Sequence, residues 1–317
     1  MEGRYNLKKK IQTVTGEILC DKIKGTMVHE HIVMDLSHVR GENTSILGDQ
    51  ETLPGIVEEL KILKELGVNT IVELTNIGMR RGPKLLKKLS EENEFYIIVG
   101  TGYYKEGYYP PEIDELSIEE LEEKLTKEVL DGIENTCIKA GIYGEIGSSY
   151  NLMTAREEKV FRAVAKSHKV TGAPISTHCE LGTMGLEQRK IFDKEGIPPE
   201  KVSFGHQDLN ENIHEQIELL KWGAFIQFDT IGKTRYRSDE ARMLNLLELI
   251  DRGFENQIML SCDISRKTYL KKFGGHGYVY LYSSFLKGLK DQGVSDDIIE
   301  KLTIKNPCRF LSFREEE

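Results

Sequence analysis

The sequence has no apolar run approaching the roughly 20 residues needed to span a bilayer, and no excess of basic residues. Its 317 residues carry a net charge of −9, with acidic and basic side chains interspersed. A surface that neutralises nucleic-acid phosphates needs a basic field, so that class of partner is disfavoured. A small anionic substrate held by a local basic cluster remains compatible with this charge. The segment from Met1 to Lys10 is polar and basic with no apolar stretch behind it, so no secretory signal is expected. Cysteine is sparse: Cys20, Cys137, Cys179, Cys262 and Cys308 are odd in number, scattered, and form no CxxC pair. That usage implies reduced thiols in a cytoplasmic protein rather than a disulfide framework. Internal repeats, low-complexity segments and Pro/Gly/Ser linkers are absent as well. With 39% hydrophobic and 30% charged residues, the composition is that of a globular chain.

What is present is alternation. Residues 11–24 show β-branched alternation around Thr15-Gly16-Glu17, which predicts a short hairpin ahead of the main fold. Short apolar runs then alternate with charged amphipathic stretches. The runs at 26–33, 69–74, 96–101, 141–146, 174–177, 202–204, 224–228 and 257–261 read as strands. Between them lie helical patterns such as 53–66 and 157–168, with apolar residues three and four apart. Eight strands separated by helix-sized gaps predict a closed (β/α)8 barrel, which typically takes about 250 residues. The expected organisation is a hairpin extension over 1–24 and a barrel over 25–317. The longer gap after strand three carries 108–111, a loop over one rim.

In such barrels the chemistry sits at the C-terminal ends of the strands. Val28-His29-Glu30-His31 lies in the first run, and alternation points both histidines to one face, the interior. A lone buried histidine is usually a satisfied core residue, but two imidazoles side by side inside a barrel are costly unless they bind something. Glu145, His178, His206 and Asp263 fall at the ends of strands four, five, six and eight. Four imidazoles and two carboxylates make an N/O ligand set for two divalent ions, zinc first, with manganese, cobalt or iron also suited. His168 on a helix, His38 and His276 in loops, and His214 after strand six read as non-ligands.

Gly25-Thr-Met-Val-His-Glu-His, Lys139-Ala-Gly-Ile, Ser176-Thr-His, Gly205-His-Gln-Asp, Ser261-Cys-Asp and Asn306-Pro-Cys-Arg-Phe-Leu together resemble the phosphotriesterase-related branch of the amidohydrolase superfamily. The resemblance runs from residue 25 to about 311. It implies that His29, His31 and Asp263 hold the more buried ion, that His178 and His206 hold the more exposed one, and that a strand-four side chain bridges them. It also implies a homodimer. Many members bridge with a carboxylated lysine, whereas this chain has Gly144 at that place and Glu145 next to it. Glutamate supplies the required bidentate carboxylate without carbon dioxide, as in members of the phosphotriesterase-homology type, and Lys139 lies at the wrong end of the strand.

Two bridged ions lower the pKa of a shared water from 15.7 to around 7, so the expected reaction is hydroxide attack on a carbonyl or phosphoryl centre. Asp263 would shuttle the proton to the leaving oxygen. Tyr103 or Tyr104 would hydrogen-bond the substrate carbonyl, with aromatic rim packing as the bland reading. Lys233, Arg235 and Arg237 after strand seven, and Arg266, Lys267 and Tyr269 after strand eight, put basic groups where barrels often bind phosphate. A charge run is usually a solvated face, yet arginine forks and ammonium groups suit a phosphate dianion. Lys233, Arg235, Arg266 and Tyr269 are therefore expected to anchor a phosphorylated sugar lactone, again as in resembling members. Acyl-homoserine lactones and phosphotriesters call for an apolar pocket and fit the basic loops less well. A non-catalytic metal- or sugar-phosphate-binding protein is the reading from another class, with the presumed base Asp263 against it.

Overall fold

All eight expected strands pair in parallel in the computed structural model, which describes residues 9–315. Residues 1–8 of the expected extension and 316–317 at the end of the expected barrel unit lie outside the described residues. A hairpin, β1 (Lys9–Thr13) and β2 (Gly16–Leu19), precedes the first barrel strand, β3 (Thr26–Glu30). A two-stranded antiparallel ribbon follows at its mouth, β4 (Met34–Asp35) with β5 (Ile46–Leu47). The barrel continues through β6 (Thr70–Glu73), β7 (Tyr96–Thr101), β8 (Ile142–Ser148), β9 (Ile175–Cys179), β10 (Val202–Phe204), β11 (Phe225–Phe228) and β12 (Ile258–Leu260). A last short strand, β13 (Arg314–Glu315), pairs antiparallel with β1.

Helices surround the strands because their sequences carry an apolar stripe and their own end signals. Helix Leu53–Glu65 buries Ile56, Leu60 and Leu63, one face at helical spacing. Helix Ala155–Thr171 starts on a reciprocal cap between Thr154 and Glu157 and stops at Gly172 in the left-handed region. The strands are buried on both faces, which is why they read as continuous apolar runs rather than clean alternation.

The expected extension is part of the barrel's core. Ile11 of the hairpin packs with Val28, Val72, Ile98, Ile142, Phe225 and Met259 from six barrel strands, and Phe310 and Leu311 of helix Asn306–Leu311 join the same cluster. Hairpin and C-terminal helix thus plug the end of the barrel opposite the C-terminal ends of its strands. A Cβ on Gly141, where β8 approaches the hairpin, would lie 2.3 Å from Gln12 O, so only glycine fits there.

The expectation of reduced thiols throughout is corrected at this plug. Cys20, just after β2, and Cys308, in the C-terminal helix, form a disulfide across 288 residues of sequence. Scattered cysteines said nothing about pairing because the two ends of the chain meet only once the barrel has closed. Cys137 is a free, exposed thiol, and Cys179 and Cys262 are free and buried.

Candidate metal centre

Along β3, His29 and His31 face the interior, whereas the Glu30 carboxylate between them reaches the chain after β12. The pairing of β8 with β9 shifts register between Tyr143 and Ile146, and bulges of this kind re-aim side chains beside sites. Glu145 sits in that break. Its Oε2 lies 3.2 Å from His29 Nε2, 3.0 Å from His178 Nδ1 and 3.7 Å from His206 Nε2, and its Oε1 lies 3.2 Å from His31 Nε2. Asp263 Oδ1 is 3.3 Å from His31 Nε2, and His206 Nε2 is 2.7 Å from His178 Nδ1. The structure therefore brings all six proposed ligands to one mouth, each no more than 8% exposed. Gly144 could not carry a bridging side chain: an added Cβ would lie 2.5 Å from Ser176 O.

Several groups behind this shell were not singled out from sequence. Asp229, directly after β11 and fully buried, accepts from His29 Nδ1 and His206 Nδ1 at 2.9 Å each, and from the His206 backbone N–H. His29 Nδ1 also lies 2.9 Å from Gln227 Oε1, and with both Nδ1 positions committed in this way the Nε2 atoms of His29 and His206 are left facing Glu145. The signal was available, since Asp229 ends strand seven as the other acids end theirs. Thr75 Oγ1 lies 2.9 Å from His31 Nδ1 and donates to Glu73 at 2.8 Å. Glu180 Oε2 is 2.7 Å from His178 Nε2 and pairs with Lys105.

The donor set fits metal cations. His29 Nε2 is buried among the described residues with no hydrogen-bond partner. Three groups, His29 with His31 and Glu145, Glu145 with His178 and His206, and His29 with His206 and Asp229, could each hold an ion by proximity. In the third, the Nδ1 contacts of Asp229 mark it as the orienting acid. The electrostatics agree. Burial would lower His31 and His206, but the carboxylates beside them win and raise the two to about 9 and about 10. Burial would raise Asp263, yet the Lys233 ammonium, then His31, hold it well below the usual carboxylate range. The same contest leaves Glu145 low, through the charges of His29 and His178. This is negative charge that a proton or a metal ion must balance.

The rim residues divide. Lys233 is buried, pairs with Asp263, lies 3.3 Å from Ser265 Oγ and sits 5.1 Å over the Tyr269 ring. Arg266 pairs with Glu42 and bonds Thr44 Oγ1 at 3.2 Å, and Arg235 is exposed. Tyr103 is a correction. Its side chain is fully buried and its hydroxyl donates to Glu112 at 2.7 Å, behind the rim loop rather than toward the ligands. Tyr104 instead faces the ligands, its hydroxyl 3.3 Å from His178 Nε2. Consecutive residues leaving a strand face opposite ways, and sequence alone left the choice of phase open.

A parallel barrel with this histidine–carboxylate centre at its C-terminal mouth defines a hydrolase of the amidohydrolase type. The chain belongs to the phosphotriesterase family, whose model matches residues 9–311. It is 38% identical to the phosphotriesterase homology protein from Escherichia coli, solved with phosphate in its active site. That comparison gives a TM-score of 0.89 and covers 92% of this chain and 99% of that one. It is 32% identical to a lactonase from Listeria monocytogenes, with a TM-score of 0.90, over 96% of this chain and all of that one. An N-acetyltaurine hydrolase of Danio rerio is 30% identical over 97% of this chain and 99% of its own length.

Proposed function

We propose that this hydrolase opens the ester ring of a phosphorylated sugar lactone at a binuclear centre. The observation that carries this is the Glu145 carboxylate standing among four imidazoles beside Asp263. His29, His31 and Asp263 would hold one divalent ion and His178 and His206 the other, with Glu145 between them and zinc as the leading candidate. Ions bound there supply a water nucleophile at neutral pH and polarise the carbonyl. Asp263, kept ionised by Lys233, takes the proton of the attacking water and returns it to the alkoxide as the ring opens. Tyr104 is within reach of the carbonyl that approaches His178.

The distal phosphate is assigned to Lys233, Arg235, Arg266 and Tyr269. Support comes from their grouping on the two loops after β11 and β12, and from the phosphate and lactonase relatives named above. An incoming phosphate competes with Glu42 for Arg266. A second reading, hydrolysis of a small N-acyl amide bearing a sulfonate, is favoured by the N-acetyltaurine relative and uses the same anion pocket. A homodimeric, cytoplasmic enzyme completes the proposal. Among the described residues no helix is long and apolar enough to cross a membrane.

The test is a screen of zinc- or manganese-loaded enzyme against phosphorylated and unphosphorylated sugar lactones and N-acetyltaurine. Phosphorylated lactones should be preferred, and Arg266→Ala should raise KM roughly 10- to 100-fold, the worth of one charge-assisted hydrogen bond, with kcat nearly unchanged. Equal turnover of both lactone classes, or an Arg266→Ala variant like wild type, overturns the phosphate anchor. Turnover of N-acetyltaurine alone moves the assignment to the amide.

A further inference from the structure

The barrel closes at the joint between β12 and β3, and there the sheet is incomplete. Every other neighbouring pair of barrel strands is joined by a ladder, but among the described residues β12 and β3 are not paired as strands. Most of the bonds across this joint are made by one side chain. The Glu30 carboxylate, fully buried, accepts three hydrogen bonds from residues 261–264. Ser261 Oγ donates to Oε1 at 2.7 Å, the Cys262 backbone N–H to Oε1 at 2.8 Å, and the Ile264 backbone N–H to Oε2 at 2.7 Å. Two backbone bonds of β3 lie alongside: Asp263 N–H donates to His29 O at 3.2 Å, and His29 N–H to Ser261 Oγ at 3.1 Å.

The two backbone donors belong to the residues on either side of Asp263. Asp263 itself sits at φ +48°, a left-handed conformation that costs a non-glycine residue about 1 kcal/mol or more and persists only when its surroundings over-determine it. Without the carboxylate, two buried N–H groups flanking Asp263 would have no acceptor, and the single backbone bond from Asp263 N–H to His29 O would be left to hold the turn.

We infer that Glu30 is a positioning residue for Asp263: its carboxylate replaces the missing ladder between the last and first strands and fixes where the Asp263 side chain stands relative to His31 and Lys233. Glu30 touches neither substrate nor reacting atoms and acts through the backbone it holds. This rests on the hydrolase reading for its catalytic consequence, while its structural content is independent of any substrate. It also explains why the residue between the two ligand histidines is acidic, since at that point of β3 the outward-facing position meets backbone donors rather than an apolar helix.

Glu30→Gln decides the matter. The amide oxygen can keep Ser261 and Cys262, but its NH2 then faces the Ile264 N–H, donor against donor. Cobalt-loaded variant and wild type are compared by metal content, by the visible absorption of bound cobalt, and by kcat and KM on a substrate found in the screen. Glu30→Gln should still bind two cobalt ions per chain and show an altered visible spectrum. Its kcat should fall on the order of 10²-fold, as expected for a misplacement near 1 Å, with KM within about twofold. Leu89→Ala, a core truncation in the outer helix Pro83–Asn93, should lower thermal stability and leave spectrum and kcat alone, separating positioning from general destabilisation. If Glu30→Gln does not fold, Glu30→Asp, which keeps the charge but draws the carboxylate back by one methylene, should show the same changes to a lesser degree. An unchanged cobalt spectrum and kcat in the variant that folds overturns the inference. If wild type turns over no substrate, the hydrolytic reading fails, and the cobalt spectrum alone still decides the role of Glu30.

Discussion

At the residue scale the centre is organised by which ring nitrogen each histidine offers. Asp229 fixes that for two of them at once, holding the Nδ1 protons of His29 and His206 with its two oxygens. It is itself kept ionised: burial would raise it, but the His206 and His29 charges bring it far below the usual range. Asp229→Asn preserves size and removes the charge, and its amide can point only one oxygen at the two rings. His29 Nδ1 keeps Gln227 Oε1 at 2.9 Å, so His206 is the ring that can lose its orienting acceptor and turn its other nitrogen inward. Metal affinity should drop 10- to 100-fold, the usual cost of losing such an outer partner, with full occupancy recovered at high metal concentration. Competition with a chromogenic chelator measures this directly. A variant binding both ions as tightly as wild type would show that Asp229 is a structural acid only.

At the scale of elements, what could be read from the sequence was whatever follows from period and position. Strand 96–101 was expected and found with those bounds, and β10 likewise, because both are apolar runs bounded by polar turns. The six ligand candidates were legible because the C-terminal end of a barrel strand is a position sequence can locate. Asp229 was missed although the end of strand seven at Phe228 is as expected, because attention fell on the acids of the other strands, and the choice between Tyr103 and Tyr104 stayed open because a loop has no fixed phase. Glu30 gave no sign of its partners, which lie more than 230 positions away. Helix ends were more local. Thr154 and Glu157 cap helix Ala155–Thr171 reciprocally, and Glu157 Oε1 also takes Ser149 Oγ at 2.7 Å and the Glu106 N–H at 3.2 Å. The cap thus ties the helix to two rim loops. Thr154→Ala removes only the threonine half and should cost about 1 kcal/mol, seen as a lower urea midpoint with unchanged slope. Loss of activity beyond that small destabilisation would mean that the rim loops depend on the cap.

On the scale of the whole molecule, the two ends of the barrel have separate tasks: the mouth holds the ligands, and the opposite end is stoppered by the hairpin and the C-terminal helix. The Cys20–Cys308 bridge sits entirely in the stopper and joins positions 288 apart. Chain entropy for so long a loop gives about 6 kcal/mol, and measured bridges usually give about 2–4 kcal/mol. For a chain of this size, unfolding entropy near 2.1 cal/mol/K per residue converts 3 kcal/mol into a shift of about 5 °C. Cys20→Ser should therefore melt about 5 °C lower than wild type, and wild type held in a strong reductant should melt with the variant. Because Ile11, Phe310 and Leu311 still fill the barrel end without the bridge, the stopper should remain seated below the melting temperature, leaving metal content and kcat as in wild type. Identical melting with and without reductant would mean that the thiols are unpaired in solution, as a reducing cytoplasm would keep them. A fall in kcat on reduction would instead mean that the stopper and the mouth are mechanically coupled through the strands between them.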